Sequence, residues 1–137
     1  MRLLSVDETV DILQKSMDLF DINWKLEVVF DPPDIPPDTI AYYSPALKRF
    51  GFRSNYIPEP VVYHEFFHML ADYYGFSLKG EDEEESFARV GEALWLRTKG
   101  DILNFKCDVC GSSKISITPT GTIKCLVCGS EYTISYG

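Results

Sequence analysis

His64-Glu65-Phe66-Phe67-His68 is the stretch that decides this chain, because it holds both of the chain's histidines in a single frame. On a helix, residues four apart stand one above the other on the same face, so two imidazoles at this spacing can grip one ion. Glu65, next to the first of them, would lie beside a water held by that ion and could take its proton. The flanks support a helix here. Pro58 and Pro60 precede the stretch, Pro60 suits a first helical turn, and Gly75 stops a helix running to about Tyr74.

The sequence before and after this helix predicts an α+β chain. Ser5 and Glu8 form a Ser-x-x-Glu capping box opening a helix over about 5–20, with Val6, Val10, Leu13, Met17 and Phe20 as its core-facing stripe. Lys25 to Phe30, Thr39 to Tyr43 and roughly Arg49 to Tyr56 read as strands of a short mixed or antiparallel sheet. Asp31-Pro-Pro-Asp-Ile-Pro-Pro-Asp38 is an extended loop, since its prolines deny both helix and central strand.

A catalytic zinc ion takes three protein ligands and leaves its fourth position for water. The chain has no third histidine, and its carboxylates are concentrated in Glu81-Asp-Glu-Glu-Glu85, which opens a second helix running to about Thr98. Most of these acids read as a solvated helix N-terminus favoured by the helix dipole. Phe87, Val90, Gly91, Leu94 and Trp95 define the buried face of that helix. Projected backwards, the face carries Glu84 near its centre, with Ala88 and Gly91 below it as small residues that allow a close helix approach. Glu85 projects to the polar side with Arg89 and Glu92, and Glu81 lies at the margin. Glu84 is therefore the first choice for the third ligand, with Glu81 and Glu85 open alternatives.

Cys107-x-x-Cys110-Gly and Cys125-x-x-Cys128-Gly form a second metal frame, with fourteen residues between the pairs. Two such turns complete a tetrahedral four-thiolate zinc site with no open position, so this site is structural. The intervening Lys114 to Ile117, Thr118-Pro-Thr-Gly121 and Thr122 to Cys125 predict a hairpin, and Glu131 to Tyr136 a third strand. The expected organisation is a body over 1–100 and a three-stranded zinc ribbon over 101–137. So short a ribbon would draw much of its stability from the metal.

The net charge of −8 lies entirely before Gly100, since Lys106, Lys114 and Lys124 balance Asp101, Asp108 and Glu131 in the tail. An acidic body with a neutral tail argues against non-specific nucleic-acid binding. No apolar run approaches membrane-spanning length and the N-terminus lacks a signal-peptide core, which predicts a cytoplasmic protein without a membrane partner.

The order of these motifs resembles the gluzincins, zinc peptidases whose third ligand is a glutamate on the helix after His-Glu-x-x-His. In size the chain is most similar to the minigluzincins, which keep an N-terminal helix, a small sheet and the two metal-site helices. The resemblance covers about Trp24 to Thr98 and is carried by His64, Glu65 and His68. On the glutamate helix, alignment on Phe87-Ala88 favours Glu81 as ligand with Glu85 behind it, and alignment on Glu85-Ser-Phe-Ala88 favours Glu85. A four-cysteine ribbon behind a His-Glu-x-x-His domain also resembles the SprT-like peptidases, whose third ligand is, however, a histidine.

The resemblance implies a zincin-like core with one catalytic and one structural zinc. It implies hydrolysis of a peptide or protein substrate with Glu65 as general base. The substrate would pair with the edge strand at Thr39 to Tyr43, and Tyr42, Tyr43, Tyr63, Tyr73 or Tyr74 would stabilise the oxyanion. Minigluzincins resemble latent proenzymes, so the ribbon could act as a latch over the cleft or as a targeting module. The alternative is a non-catalytic, zinc-stapled module whose ribbon docks a protein or nucleic acid.

Overall fold

Ser5 starts the first helix by the expected capping box: its hydroxyl accepts from the Glu8 amide at 3.2 Å, and the Glu8 carboxylate accepts from the Ser5 amide at 3.1 Å. These contacts come from a computed structural model that describes residues 2–76, 81–98 and 101–132. Helix α1 spans Val6–Leu19. Leu13, Met17 and Phe20 face the core as the periodicity predicts, but Val10 is 42 % exposed and Thr9 is buried in its place. The departure from the predicted stripe is confined to the first part of the helix, which directly follows strand β1 (Leu3–Ser5).

Three strands make a mixed sheet in the order β2 (Glu27–Phe30), β4 (Arg49–Phe52), β3 (Ala41–Ser44). β2 runs parallel to β4 and β3 antiparallel to it, which leaves β3 at an edge. The single strand expected over 49–56 is instead two. The chain bends at Arg53 to Asn55, where the Ser54 hydroxyl accepts from the Tyr56 amide. It then forms β5 (Tyr56–Pro58), which pairs antiparallel with β1. Strand β1 had no counterpart in the sequence reading, because three residues offer no period to detect.

β5 leads straight into α2 (Glu59–Tyr74), which carries a proline in its first turn and ends at Gly75 with φ 77°, a left-handed cap that suits glycine. α3 spans Glu81–Thr98 and packs along α2. Gly91 and Ala88 permit this contact. A Cβ on Gly91 would come within 2.2 Å of the Phe67 ring. Phe67 in turn meets Trp95 edge-on at 4.8 Å, and Phe20 stacks on Trp95 at 5.7 Å. Each of these fully buried aromatic side chains contributes roughly 1.5–3 kcal/mol through the area it removes from water.

A short 3-10 helix over Asp101–Asn104 leads to the C-terminal hairpin of β6 (Ile115–Ile117) and β7 (Ile123–Cys125), with β8 (Glu131–Tyr132) beside β7. The rest of the expected third strand, to Tyr136, lies outside the described residues, as does the boundary at Gly100. Ile115, Ile117 and Ile123 join the same buried cluster as Leu13, Phe67 and Trp95, so the ribbon closes the core of the body. Its turn rests on α3, where Gly121 lies against Val90 and Leu94. Among the described residues no helix is long and apolar enough to cross a membrane.

The close α2–α3 contact makes a directional prediction. Gly91→Ala should gain ~1 kcal/mol of helix propensity and lose roughly 1–3 kcal/mol to overpacking against Phe67. Urea denaturation should therefore show net destabilisation. A more stable variant would show that the contact is looser than described.

Candidate metal centres

α2 presents His64 and His68 on one half-exposed face, with their Nε2 atoms 3.2 Å apart. α3 supplies carboxylates to both rings. His68 Nδ1 meets Glu84 Oε1 at 2.9 Å, and His64 Nδ1 faces Glu92 Oε1 at 3.3 Å. With each neutral imidazole carrying its one N–H on the Nδ1 that faces Glu84 or Glu92, both Nε2 atoms would offer lone pairs. Glu85 faces that same side, with Oε1 3.1 Å from His64 Nε2 and Oε2 3.1 Å from His68 Nε2. In that tautomer three sets of electron-pair donors converge on one point, an arrangement that could hold a cation. Their separations are close to the roughly 3.3 Å edge of a tetrahedron with metal bonds of ~2.0–2.1 Å.

The three candidates for the third donor are thus separated by position. Glu84, the first choice from the sequence, sits behind the His68 ring. Glu85 sits on the shared Nε2 side. Glu81 begins α3, and its side chain lies outside what is described. Glu92 was read as a polar-face residue and its contact with His64 was missed. The available signal was its place two turns beyond Glu85, on the same side of the helix.

Glu65 also has a potential ligand atom within 4.8 Å of the two imidazoles. It differs from Glu85 in being buried, at 8 % exposure, with Oε2 lacking any hydrogen-bond partner. Burial pushes its pKa up to about 7, and the neighbouring Glu85 and Glu84 charges push the same way against the attraction of His68. A buried carboxyl with an unpaired oxygen beside converging lone pairs fits a cation site with an adjoining base. A cleft of about 430 Å³ opens here, between the residues leading into β3 (Asp38 to Ala41) and the helix residues Val61, His64, Glu65 and Glu92.

Of the five candidate tyrosines, two donate their hydroxyls to carboxylates away from the histidines. Tyr43 donates to Asp72 at 2.7 Å, beside Lys48, which meets the same carboxylate at 2.8 Å. Tyr63 donates to Glu59, Tyr42 covers Gly51, and Tyr73 packs edge-on against Trp24. The Tyr74 hydroxyl is buried, facing the Ile117 backbone of the C-terminal hairpin.

The four cysteines form the second centre. Cys107 and Cys128 Sγ lie 3.6 Å apart, and Cys110 and Cys125 Sγ 3.5 Å apart. These distances are far from a disulfide bond of about 2.05 Å and near the roughly 3.8 Å edge expected for Zn–S bonds of ~2.3 Å. The two turns match each other. Gly111 and Gly129, at φ 78° and 79°, donate their amides to the Cys107 and Cys125 carbonyls. The Cys107 and Cys125 amides donate in turn to the Ser112 and Ser130 carbonyls, both at 2.8 Å. Tyr132 donates its hydroxyl to Cys107 Sγ at 2.9 Å, and this bond, with amide contacts from Cys110 and Val109, holds the Cys107 pKa down to about 6. Such a thiolate is ready to bind metal.

Compared with known protein families, curated proteins and solved structures, the chain matches none. The donor geometry therefore carries the argument alone. Both groups, His64-Glu65-His68 and the four cysteines, could hold a metal ion, and the elements for each are adjacent in the chain.

Elemental analysis should find two zinc ions per chain, falling to one when His64 and His68 are both changed to Ala. One zinc in both proteins would leave only the ribbon centre.

Proposed function

We propose that the chain is a zinc-dependent peptidase of the gluzincin type, with His64, His68 and Glu85 as the ligands of its catalytic zinc and Glu65 as its general base. The observation that carries this reading is the convergence of both Nε2 atoms and the Glu85 carboxylate beside the buried, unpartnered oxygen of Glu65. A purely structural site would have no use for that fourth group. Zinc bound there would acidify a water and polarise a carbonyl.

The residues divide the remaining work. Glu65 takes the proton of the attacking water and passes it to the leaving amine. Its buried setting raises its proton affinity, which suits a group that must accept and then release a proton near neutrality. Glu84 and Glu92 hold the two imidazoles in the tautomer that offers Nε2, and make them better donors. The edge strand β3 borders the cleft and offers an extended peptide a pairing partner.

This reading has no latch. The ribbon turn lies against Val90 and Leu94, roughly half a helical turn around α3 from Glu85 and Glu92. Its described residues therefore pack behind the helix rather than over the cleft. The reading gives the four-cysteine centre the structural zinc, which fastens a ribbon that the core requires.

Two measurements test the assignment. Glu65→Gln should keep both zinc ions and lose peptide hydrolysis by roughly 10²–10⁴-fold; unchanged hydrolysis would exclude the mechanism. Glu85→Ala should lose the histidine-site zinc, whereas Glu84→Gln should keep it with affinity lowered by about 10–100-fold. The reverse ranking would make Glu84 the ligand.

A further inference from the structure

The ionisable lining of the cleft at Glu65 is three carboxyl groups and His64. Its lining combines Asp38, Glu65 and Glu92 with the apolar Ile40 and Val61, and includes no lysine or arginine. The nearest arginines are committed elsewhere. Arg53 donates through Nε to the Thr39 carbonyl at 2.7 Å and through Nη2 to the Pro36 carbonyl. Arg89 turns its guanidinium to Glu85.

Acidic groups alone would not define a site, but two further features do. Glu65 lines this cleft and is buried, its Oε2 having no hydrogen-bond partner among the described residues, a cost that a polar group entering the cleft would relieve. Asp38 is also held in place. The Thr39 amide donates to the Pro36 carbonyl at 3.0 Å, Arg53 grips both sides of that turn, and the prolines around it restrict the backbone. Ile40, 59 % exposed, leaves an apolar wall between the two charges and the edge strand.

We propose that this cleft selects a lysine or arginine side chain flanking the scissile bond. The aliphatic stem lies along Ile40 and Val61, and the cationic head lies towards Asp38 and the Glu92 oxygen that His64 does not engage. The proposal rests on the peptidase reading and assigns its substrate class, peptides with basic residues. Asp38 is the residue that sets specificity, and Glu92 both orients His64 and contributes to the charge of the pocket.

The test uses the full chain with Glu65→Gln, so that binding is read without turnover. An uncharged host peptide carries Lys, Met or Glu at one central position. The Lys peptide should bind roughly tenfold tighter than the Met peptide, as two partly exposed charge contacts allow, and the Glu peptide should bind weakest. The gap should narrow as salt is raised. Adding Asp38→Lys should invert the order of Lys and Glu. Equal affinities, or a preference that Asp38→Lys leaves unchanged, would overturn the proposal. Cleavage by the unmodified chain separates it from the reading beneath it. If the Lys peptide is cut faster than the Met peptide, the proposal is supported. If the two are cut equally, specificity falls and the peptidase stands; if none is cut, both fall.

Discussion

The approach of α3 to α2 over the Phe67 ring is the constraint on which the rest of the molecule depends. Gly91 has no side chain to hold the helices apart, and its missing Cβ would stand 2.2 Å from Phe67. At that separation the short reach of a glutamate is enough to cross between helices. Glu84, Glu85 and Glu92 then touch the two histidines through four of their nitrogen contacts, all between 2.9 and 3.3 Å. The same contact buries Phe67 and Trp95, so packing and site geometry come from one interface. The ribbon turn meets it from the other side at Val90 and Leu94, and Val90, expected on the buried face, stays 39 % exposed because this turn covers it only in part.

Charge follows from this geometry. The interface collects carboxylates of α3 around two imidazoles whose Nε2 atoms face each other, a donor set that could hold a cation. Glu65 is the exception among these acids, because it is buried on α2 and has no partner for one oxygen. Desolvation raises its pKa, and a positive ion beside it would act in the opposite direction. The four-cysteine centre brings four sulfurs as close together, so a cation would balance it in the same way, while matched turn hydrogen bonds and Tyr132 fix its two halves.

The fold was legible where a residue's spacing alone determines its neighbours. His64, Glu65, His68 and the paired cysteines lie within one helix or one turn, and Ser5 with Glu8 marks a helix start that needs no tertiary information. Glu84 and Glu85 differ by one residue and about 100° around α3, so choosing between them needs the position of the other helix. Projection from the apolar face pointed to its centre. That face serves two contacts, Ala88, Gly91 and Trp95 towards α2 and Val90 with Leu94 towards the ribbon. A donor that meets a half-exposed pair of imidazoles leaves from the rim, where Glu85 and Glu92 stand. Val10 and the break after Phe52 escape the pattern because the neighbouring strands β1 and β5 are three residues each and carry no period.

The most direct test of this account is anomalous diffraction at the zinc edge from crystals of the full chain. The account predicts two peaks, one among the four sulfurs and one about 2.0–2.2 Å from both Nε2 atoms and a Glu85 oxygen. A single peak at the ribbon, or a histidine-site peak bound by Glu84 with Glu85 turned away, would contradict it.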